Sequence, residues 1–583
     1  MRGFHKAVDF AGEQEKGDIC VLANARLDNR RELTASLSAW LYGTKGTPGD
    51  ADLIRAAYLQ WGESCPEKLL GDFSFSIWDP CRRRLFCASD PLGVRPLYYT
   101  LAGSRLEVAS AIRPLLSTPG GTHRIDFVAV GNYLTKMTSE PERTFFEGLY
   151  RLPGGHTLTA TPESLRVRRY WDVAELSALA LDEEETASRF RELLTQAVRD
   201  RLDTPEGSVG IAMSGGLDST SVAALAAGAG PLRAYSFVFD QLDECDERVF
   251  ISSLSRDLGI ETTFIEAERF WFLGDAEAYP PPLETPEVSW DFAFRQMLQA
   301  LRERGGRVLL TGHGADDLLL GSKRVYAERL RRGDLRVLGE VWQHSRSRRY
   351  GWRPFYHLLA EPLIGPSAAS ALRRLFSRRE PFRLPAWIAP DFADRTALSE
   401  RLAEYVRGPA QGSARDEMYQ NLIARPSYHR SIDWYDRNAG PFGVEVRHPF
   451  LDRRLFEFVF ALPPEHLMRL EERKLLLRRA VAGILPDAVR LRRRKTSLGG
   501  FVDFSLRKEA DRIRNLLAAP LSAELGIIEG SAACQAYERY CAGETAPGQR
   551  SLWYVITLEL WLRQYLGQFN VEQGGADSAR KAA

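Results

Sequence analysis

The stretch Val209–Thr220, VGIAMSGGLDST, reads as a buried strand that runs into a glycine turn and then into a helix. Gly215 and Gly216 let backbone N–H groups approach a phosphate chain closely, and the N-terminus of the next helix adds positive potential. The hydroxyls of Ser214, Ser219 and Thr220 are further donors. Asp218 would be repelled by phosphates alone, so its presence points to a bridging Mg²⁺. The stretch is not a Walker A loop, because the GK[ST] ending is absent. A plain glycine turn with an Asp or Ser helix cap accounts for a lone SGG, but not for SGGLDS behind a buried strand.

On either side the pattern repeats. Ala234–Phe239 and Arg307–Thr311 read as buried strands, and Ser219–Ala227 and Glu247–Asp257 as helices. Strands alternating with helices give a parallel sheet covered on both faces. The acidic run Asp182–Glu185 opens a helix, where it suits the positive end of the helix dipole. The domain boundary is therefore placed near Asp172–Asp182. Before it the chain is strand-rich: Ile19–Ala23, then Gly71–Thr100 turning at Asp79-Pro80, then Arg105–Ser110 and Gly155–Trp171, with a helix at Asp50–Trp61. Between Ser322 and Tyr435 the chain turns helical and arginine-rich.

With 583 residues the chain is long enough for two or more domains. A net charge of +1 gives no global field to recruit nucleic acid or a membrane surface. Seven scattered cysteines without a CxxC pair, and no apolar h-region at the N-terminus, fit a reducing cytoplasm.

Three further segments carry chemistry. VLLTGHGADDLLLGS (Val308–Ser322) is a second strand ending in a glycine turn, now with Asp316 and Asp317; Asp316 is the candidate partner of Asp218 at the metal. DRNAGPFGVEVRHPFLDRRLFEF spans Asp436–Phe458. LPDAVRLRRRKTSLGG (Leu485–Gly500) centres on Lys495, the candidate holder of phosphate and of the charge that develops in acyl transfer.

SGGLDS resembles the signature of PP-loop enzymes, which cleave ATP between its α- and β-phosphates. The four segments in this order resemble the asparagine synthetase family, and the likeness covers nearly the whole chain. NARLDN (Asn24–Asn29), GDAD with Asp50 and Asp52, GDFSFSIWD and DPLGVRPLYY are similar to that family's class II glutamine amidotransferase domain. The resemblance implies an α/β protein: an Ntn-hydrolase-like, β-rich α+β domain over 1–175, then a PP-loop parallel-sheet domain with added helices over 182–570. It implies ATP and Mg²⁺, with ATP at Ala212, Ser214, Gly215, Gly216, Leu217, Asp218, Ser219, Thr220, Phe239, Thr311 and Gly312, and metal at Asp218 and Asp316.

The departures are informative. A working glutaminase exposes a cysteine right after the initiator methionine, whereas residue 2 is Arg2 and the first cysteine is Cys20. The N-terminal domain is therefore expected to be an inactive relic. His313 stands where asparagine synthetases resemble the pattern with glutamate and β-lactam synthetases with tyrosine. A histidine there suits a general base for an incoming ammonium, and Asp436 or Glu445 could orient it; packing against ATP is the bland alternative. The candidate catalytic set is His313, Lys495 and Glu445.

An amine already on the substrate follows from the loss of glutaminase. The long arginine-rich insert and the C-terminal SLWYVITLELWLRQ resemble lasso peptide cyclases, which join a peptide's N-terminal amine to an Asp or Glu side chain. That resemblance implies a precursor core peptide, a leader peptidase and a leader-peptide recognition protein as partners. The alternatives are a β-lactam-forming synthetase, an ammonia-dependent asparagine synthetase, and a non-catalytic ATP-binding regulatory protein.

Overall fold

The computed structural model describes residues 4–10, 18–41, 46–117, 124–138, 140–204, 209–274, 282–287, 291–347, 351–364, 384–407, 412–470, 472–492, 496–544 and 551–566. Two antiparallel sheets build the N-terminal half. The first has the order β1 (His5–Asp9), β6 (Arg105–Ala109), β5 (Tyr98–Ala102), β7 (Leu149–Arg151). The second has the order β2 (Cys20–Leu27), β3 (Gly71–Asp79), β4 (Arg84–Ser89), β8 (His156–Ala160), β9 (Leu165–Arg169). They meet face to face through Val8, Leu106 and Val108 on one side and Leu85, Cys87 and Leu158 on the other. Asp79-Pro80 lies at the turn between β3 and β4, as the alternation of that segment predicts. Helices Arg30–Ser36 and Asp50–Trp61 cover the outer face of the second sheet, against Phe73, Phe75 and Ile77.

The outer face of the first sheet is covered from the far end of the chain. Helix Leu552–Leu566 brings Trp561 against Phe145 and Phe146, with ring centroids 5.5 and 5.6 Å apart. The two halves of the sequence therefore share a core.

The synthetase half opens with helix Glu183–Arg201. Asp182 caps it, accepting from the backbone N–H groups of Glu184 and Glu185 at 2.8 Å, while the Asp182 N–H donates to Glu185. A five-stranded parallel sheet follows in the order β12 (Glu261–Glu266), β11 (Arg233–Val238), β10 (Val209–Ala212), β13 (Val308–Leu310), β14 (Glu445–Arg447). Ile211, Ala234 and Leu310 face Phe190, Leu194, Val222 and Leu254. Tyr235, Leu309 and Val446 face Phe294, Met297 and Leu298 on the opposite side. Apolar burial on both faces is what a parallel sheet requires. In sheets of this kind ligands bind beyond the carboxyl ends of the strands, and that is where Met213–Gly216 and Thr311–Asp317 lie. Among the described residues no helix is long and apolar enough to cross a membrane.

Candidate active site

Strand β10 ends at Ala212, and Ser214-Gly215-Gly216 turns the chain into helix Leu217–Ala227. The hydroxyls of Ser214 and Ser219 lie 3.0 Å apart, and Ser219 Oγ also accepts from the Ser214 N–H. Gly215 is clasped from both sides: its N–H donates to Glu247 at 2.9 Å and its carbonyl accepts from Arg492 at 3.0 Å. Arg492 and Glu247 are themselves paired at 2.7 Å. Sequence patterning does not single out this pair, which fixes the turn. Thr220 is buried and its hydroxyl donates to the Gly216 carbonyl at 2.8 Å, so it holds the first helical turn together.

The second loop leaves β13 at Thr311. Gly312 is pressed against the first: a Cβ there would stand 2.5 Å from the Ser219 nitrogen and 2.8 Å from the Asp218 carbonyl carbon. Only glycine allows this approach, which is what brings Asp218 and Asp316 to one place. Gly312→Ala is therefore expected to cut ATP-dependent pyrophosphate release about 100-fold by pushing the loops apart. Steady-state kinetics beside a circular-dichroism melt separates that effect from global unfolding.

Between the two carboxylates sits Lys474. Its ammonium lies 2.5 Å from Asp218 Oδ2 and 2.6 Å from Asp316 Oδ1. The lysine is held with φ +56, a left-handed conformation that a non-glycine residue adopts at a cost of about 1–3 kcal/mol. It caps the helix Leu475–Ala480, whose buried Leu475–Leu477 anchor it. Lys495 lies outside the described residues.

His313 follows on the same loop. Its ring packs against Tyr435 and His448, with centroids 5.6 and 5.4 Å away. Thr311 Oγ1 accepts from the His313 N–H at 3.2 Å and is hydrogen-bonded to His448 Nδ1 at 2.7 Å. Burial lowers the His313 pKa below the ordinary value, against the opposing pull of Asp317 and Asp316. The ring is thus neutral at neutral pH, and its Nε2 is buried without a hydrogen-bond partner. Asp317 accepts from Ser427 Oγ at 2.9 Å, which ties the loop to helix Tyr428–Ala439.

Three expected site residues sit differently. Glu445 begins β14 beside Val308, at the opposite end of the strands from His313. Its carboxylate is held by Arg95 at 2.5 Å and Arg447 at 2.7 Å, and among the described residues no hydrogen bond joins it to His313. Asp436 faces Arg95 as well, at 3.4 Å. His313 is held instead by Thr311, which accepts from its backbone N–H, and by the flanking rings of Tyr435 and His448. Phe239 packs its ring on Phe501, 5.3 Å away, and its N–H donates to Asp246.

Two oxygen donors on facing loops, already closed around one cation, suit Mg²⁺, which takes one or two carboxylates and completes its shell with phosphates and water. Asp218, Asp316 and a glycine loop at the carboxyl edge of a parallel sheet define an ATP-pyrophosphatase-type synthetase. The asparagine synthase family model matches residues 189–563, and the glutamine amidotransferase domain model matches 11–171. The chain belongs to the asparagine synthase family: an ATP- and Mg²⁺-dependent, AMP-forming enzyme that makes carbon–nitrogen bonds, with an Ntn-type amidotransferase domain ahead of it. The chain is 26% identical over 517 residues to asparagine synthetase [glutamine-hydrolyzing] 3 of Bacillus subtilis, covering 82% of this chain and 75% of that one. Asparagine synthetase [glutamine-hydrolyzing] 1 of the same organism is 24% identical over 570 residues, at 93% and 85%. Amidase chry2 of Gibberella zeae is 25% identical over 555 residues, at 83% and 77%.

Proposed function

We propose that this ligase closes a macrolactam ring in a precursor peptide. An Asp or Glu side chain of the core peptide attacks the α-phosphate of ATP, pyrophosphate leaves, and the peptide's N-terminal amine displaces AMP from the acyl-adenylate. The observation that carries this reading is His313, neutral and with a shielded, unpartnered Nε2 beside the carboxylate pair. A peptide α-amine, with a pKa of about 7.7–8.0, arrives at neutral pH largely as ammonium. It must lose a proton before it can attack, and a neutral imidazole accepts one. Free ammonium needs the same service, so the product formed, not the base, separates the peptide from ammonia.

The other residues act by charge. Lys474 stands where the departing phosphates and the developing oxyanion gather negative charge. Asp218 and Asp316 would hold Mg²⁺, which when bound would add to the neutralisation of that charge. The amidotransferase half serves as scaffold. Its cysteines Cys65 and Cys87 are buried, with thiols pushed well above the ordinary range by that burial, and Cys20 lies exposed on an edge strand. A leader peptidase and a leader-recognition protein complete the proposal, since the amine must first be uncovered.

The arginines of the insert do not add to this case. Arg329 is held by Asp334 and Glu340, Arg332 by Glu465, Arg336 by Asp334 and Arg324 by Glu417. These pairs hold the helices together; Arg348, Arg349, Arg373, Arg374, Arg378 and Arg379 lie outside the described residues.

The test is pyrophosphate release with ATP and Mg²⁺, read beside mass spectrometry. One arm is a pool of leaderless peptides carrying an acidic residue at positions seven to nine, and the other is aspartate with ammonia. A peptide product lighter by one water, formed with AMP, supports the reading. Turnover with aspartate and ammonia alone returns the chain to asparagine synthesis, the activity in the names of its bacterial relatives. His313→Ala is expected to keep peptide-dependent pyrophosphate exchange and lose cyclisation by about 10²–10⁴-fold. Because the histidine pKa is lowered, the acid limb of the cyclisation rate should fall below about pH 6.5.

A further inference from the structure

Strand register brings a second histidine to the loop that carries His313. Strands β13 and β14 pair in parallel as Val308 with Glu445, Leu309 with Val446 and Leu310 with Arg447. One step further along that register stand Thr311 and His448. The Thr311 N–H donates to the Arg447 carbonyl at 3.1 Å, and Thr311 Oγ1 is hydrogen-bonded to His448 Nδ1 at 2.7 Å. Side chains alternate along a strand, so His448 shares the face of Val446 that helix Tyr428–Ala439 covers. There its ring meets those of His313 and Tyr435, with centroids 5.4 and 5.0 Å away. Among the described residues, Nε2 of His313 and Nε2 of His448 are the only histidine ring nitrogens buried without a hydrogen-bond partner. Buried polar groups are ordinarily paired, so two such atoms in one cluster of three rings call for a reason beyond packing.

Hydrogen bonding decides which nitrogen of His448 carries its proton. A threonine hydroxyl has one hydrogen to give. Thr311 Oγ1 accepts from the His313 N–H at 3.2 Å, and among the described residues its other hydrogen bond is the one to His448. If the hydroxyl donates to Nδ1, the His448 proton sits on Nε2, and one buried group is left unpaired. The reverse arrangement leaves two, the hydroxyl hydrogen and a bare Nε2, and is the costlier. Nδ1 is therefore engaged by Thr311. Burial, and after it the nearness of His313, holds the His448 pKa well below its ordinary value. His448 stays neutral and does not compete with His313 for a proton.

We propose that His448 is a positioning residue for His313. Its Nδ1 orients the Thr311 hydroxyl, whose oxygen accepts the His313 backbone N–H, and its ring and that of Tyr435 wall the imidazole, so that the base meets the incoming amine in one setting. The proton passes from the ammonium nitrogen to His313, and His448 forms and breaks no bond. The proposal rests on the reading of His313 as base, and not on which amine that base serves.

The test compares amide formation with pyrophosphate exchange in the full chain, with ATP and Mg²⁺. One arm holds leaderless peptides with an acidic residue at positions seven to nine, the other aspartate with ammonia. The cycle of variants is read on whichever arm the wild type turns over, so failure of the macrolactam reading and failure of this one are distinct. His448→Phe keeps a ring and removes both nitrogens, and His448→Asn keeps an acceptor for the Thr311 hydroxyl. His448→Phe is expected to lower kcat for amide formation about 10–100-fold, as a displaced reacting group does, and to lower pyrophosphate exchange much less. His448→Asn should retain part of the lost rate. In a His313→Ala background neither substitution should lower amide formation further, because a residue that acts through another then has nothing to act on. Equal losses of exchange and amide formation overturn the proposal. So does a loss in the His313→Ala background as large as in the wild type, because His448 then serves only the fold. If His448→Phe does not fold, the same cycle is read with His448→Asn. A His313→Ala chain as active as the wild type removes the base and with it the role of His448.

Discussion

Lys474→Met is expected to lower ATP-dependent ligation by about 10²–10³-fold, the loss typical when one preorganised charge partner of a transition state is removed. Thermal stability should stay close to wild type. Asp218 and Asp316 are 19% and 56% exposed, so water and Mg²⁺ can solvate them once the ammonium is gone. Methionine keeps the length of the side chain and the same left-handed backbone, so backbone strain does not differ between the two proteins. Lys474→Gly is the complementary variant. It relieves the φ of +56 and should raise stability while showing the same loss of activity. Pyrophosphate exchange and a melting curve, run on both variants, separate charge from strain. Activity in Lys474→Met within threefold of wild type would remove the lysine from the chemistry.

From the sequence, phosphate holding is expected of Lys495, which follows a basic run in a segment similar to the family pattern and lies outside the described residues. Lys474 stands in ERKLLLRR, where local patterning shows an ordinary helix with basic flanks. Its importance exists only in three dimensions, where residues 218, 316 and 474 meet. One signal was available all the same. The chain has ten lysines against sixty-eight arginines. Where arginine serves almost everywhere, a retained lysine marks a place for a compact ammonium that fits between two carboxylates, which a planar guanidinium does not.

The fold was legible where a local pattern is enough to specify it. Helix Asp50–Trp61 and the strand–turn–helix at Val209–Thr220 are written in hydrophobic period and glycine placement. Strand β14 was not legible. It is three residues long, and Glu445 and Arg447 flank the single apolar Val446. What makes it a strand is its partner β13, a contact 137 residues away in sequence between Val308 and Glu445. The same strand takes Glu445, expected beside His313, to the foot of the sheet, where its business is with Arg95 and Arg447. His313 and its neighbours were easier, because a glycine loop behind a buried strand fixes where its side chains must go.

Arg201→Ala is expected to destabilise the protein by about 3–5 kcal/mol, the cost of leaving buried charges without their partner. Arg201 is 1% exposed at the junction of the two halves. It donates to Asp452 at 2.8 Å and Asp72 at 3.4 Å, and to the Leu451 carbonyl at 3.0 Å. Asp72 comes from strand β3 of the amidotransferase half and is shared with Arg26 at 2.8 Å, so one guanidinium joins the two domains. Burial alone would raise the pKa of Asp452, but hydrogen bonds and charge from Arg454 and Arg201 bring it below the ordinary value; Arg26 and Arg201 do the same for Asp72. Carboxylates lowered in the folded state contribute stability that is present above their unfolded pKa, about 3.9, and is lost as pH falls below it. The wild type should therefore lose stability steeply under about pH 4, and Arg201→Ala should show a shallower acid dependence because Arg454 and Arg26 alone then hold the two carboxylates down. Chemical denaturation at pH 7 and pH 4, followed by tryptophan fluorescence, measures both effects. Adding Asp452→Asn to Arg201→Ala removes one of the stranded charges and should recover part of the loss, since residues in one network are not additive. A double variant no more stable than the single one would place the cost at Asp72 and the domain junction. A single variant within 1 kcal/mol of wild type would show that the two halves are held by the shared apolar core around Trp561, with the ion pairs contributing little.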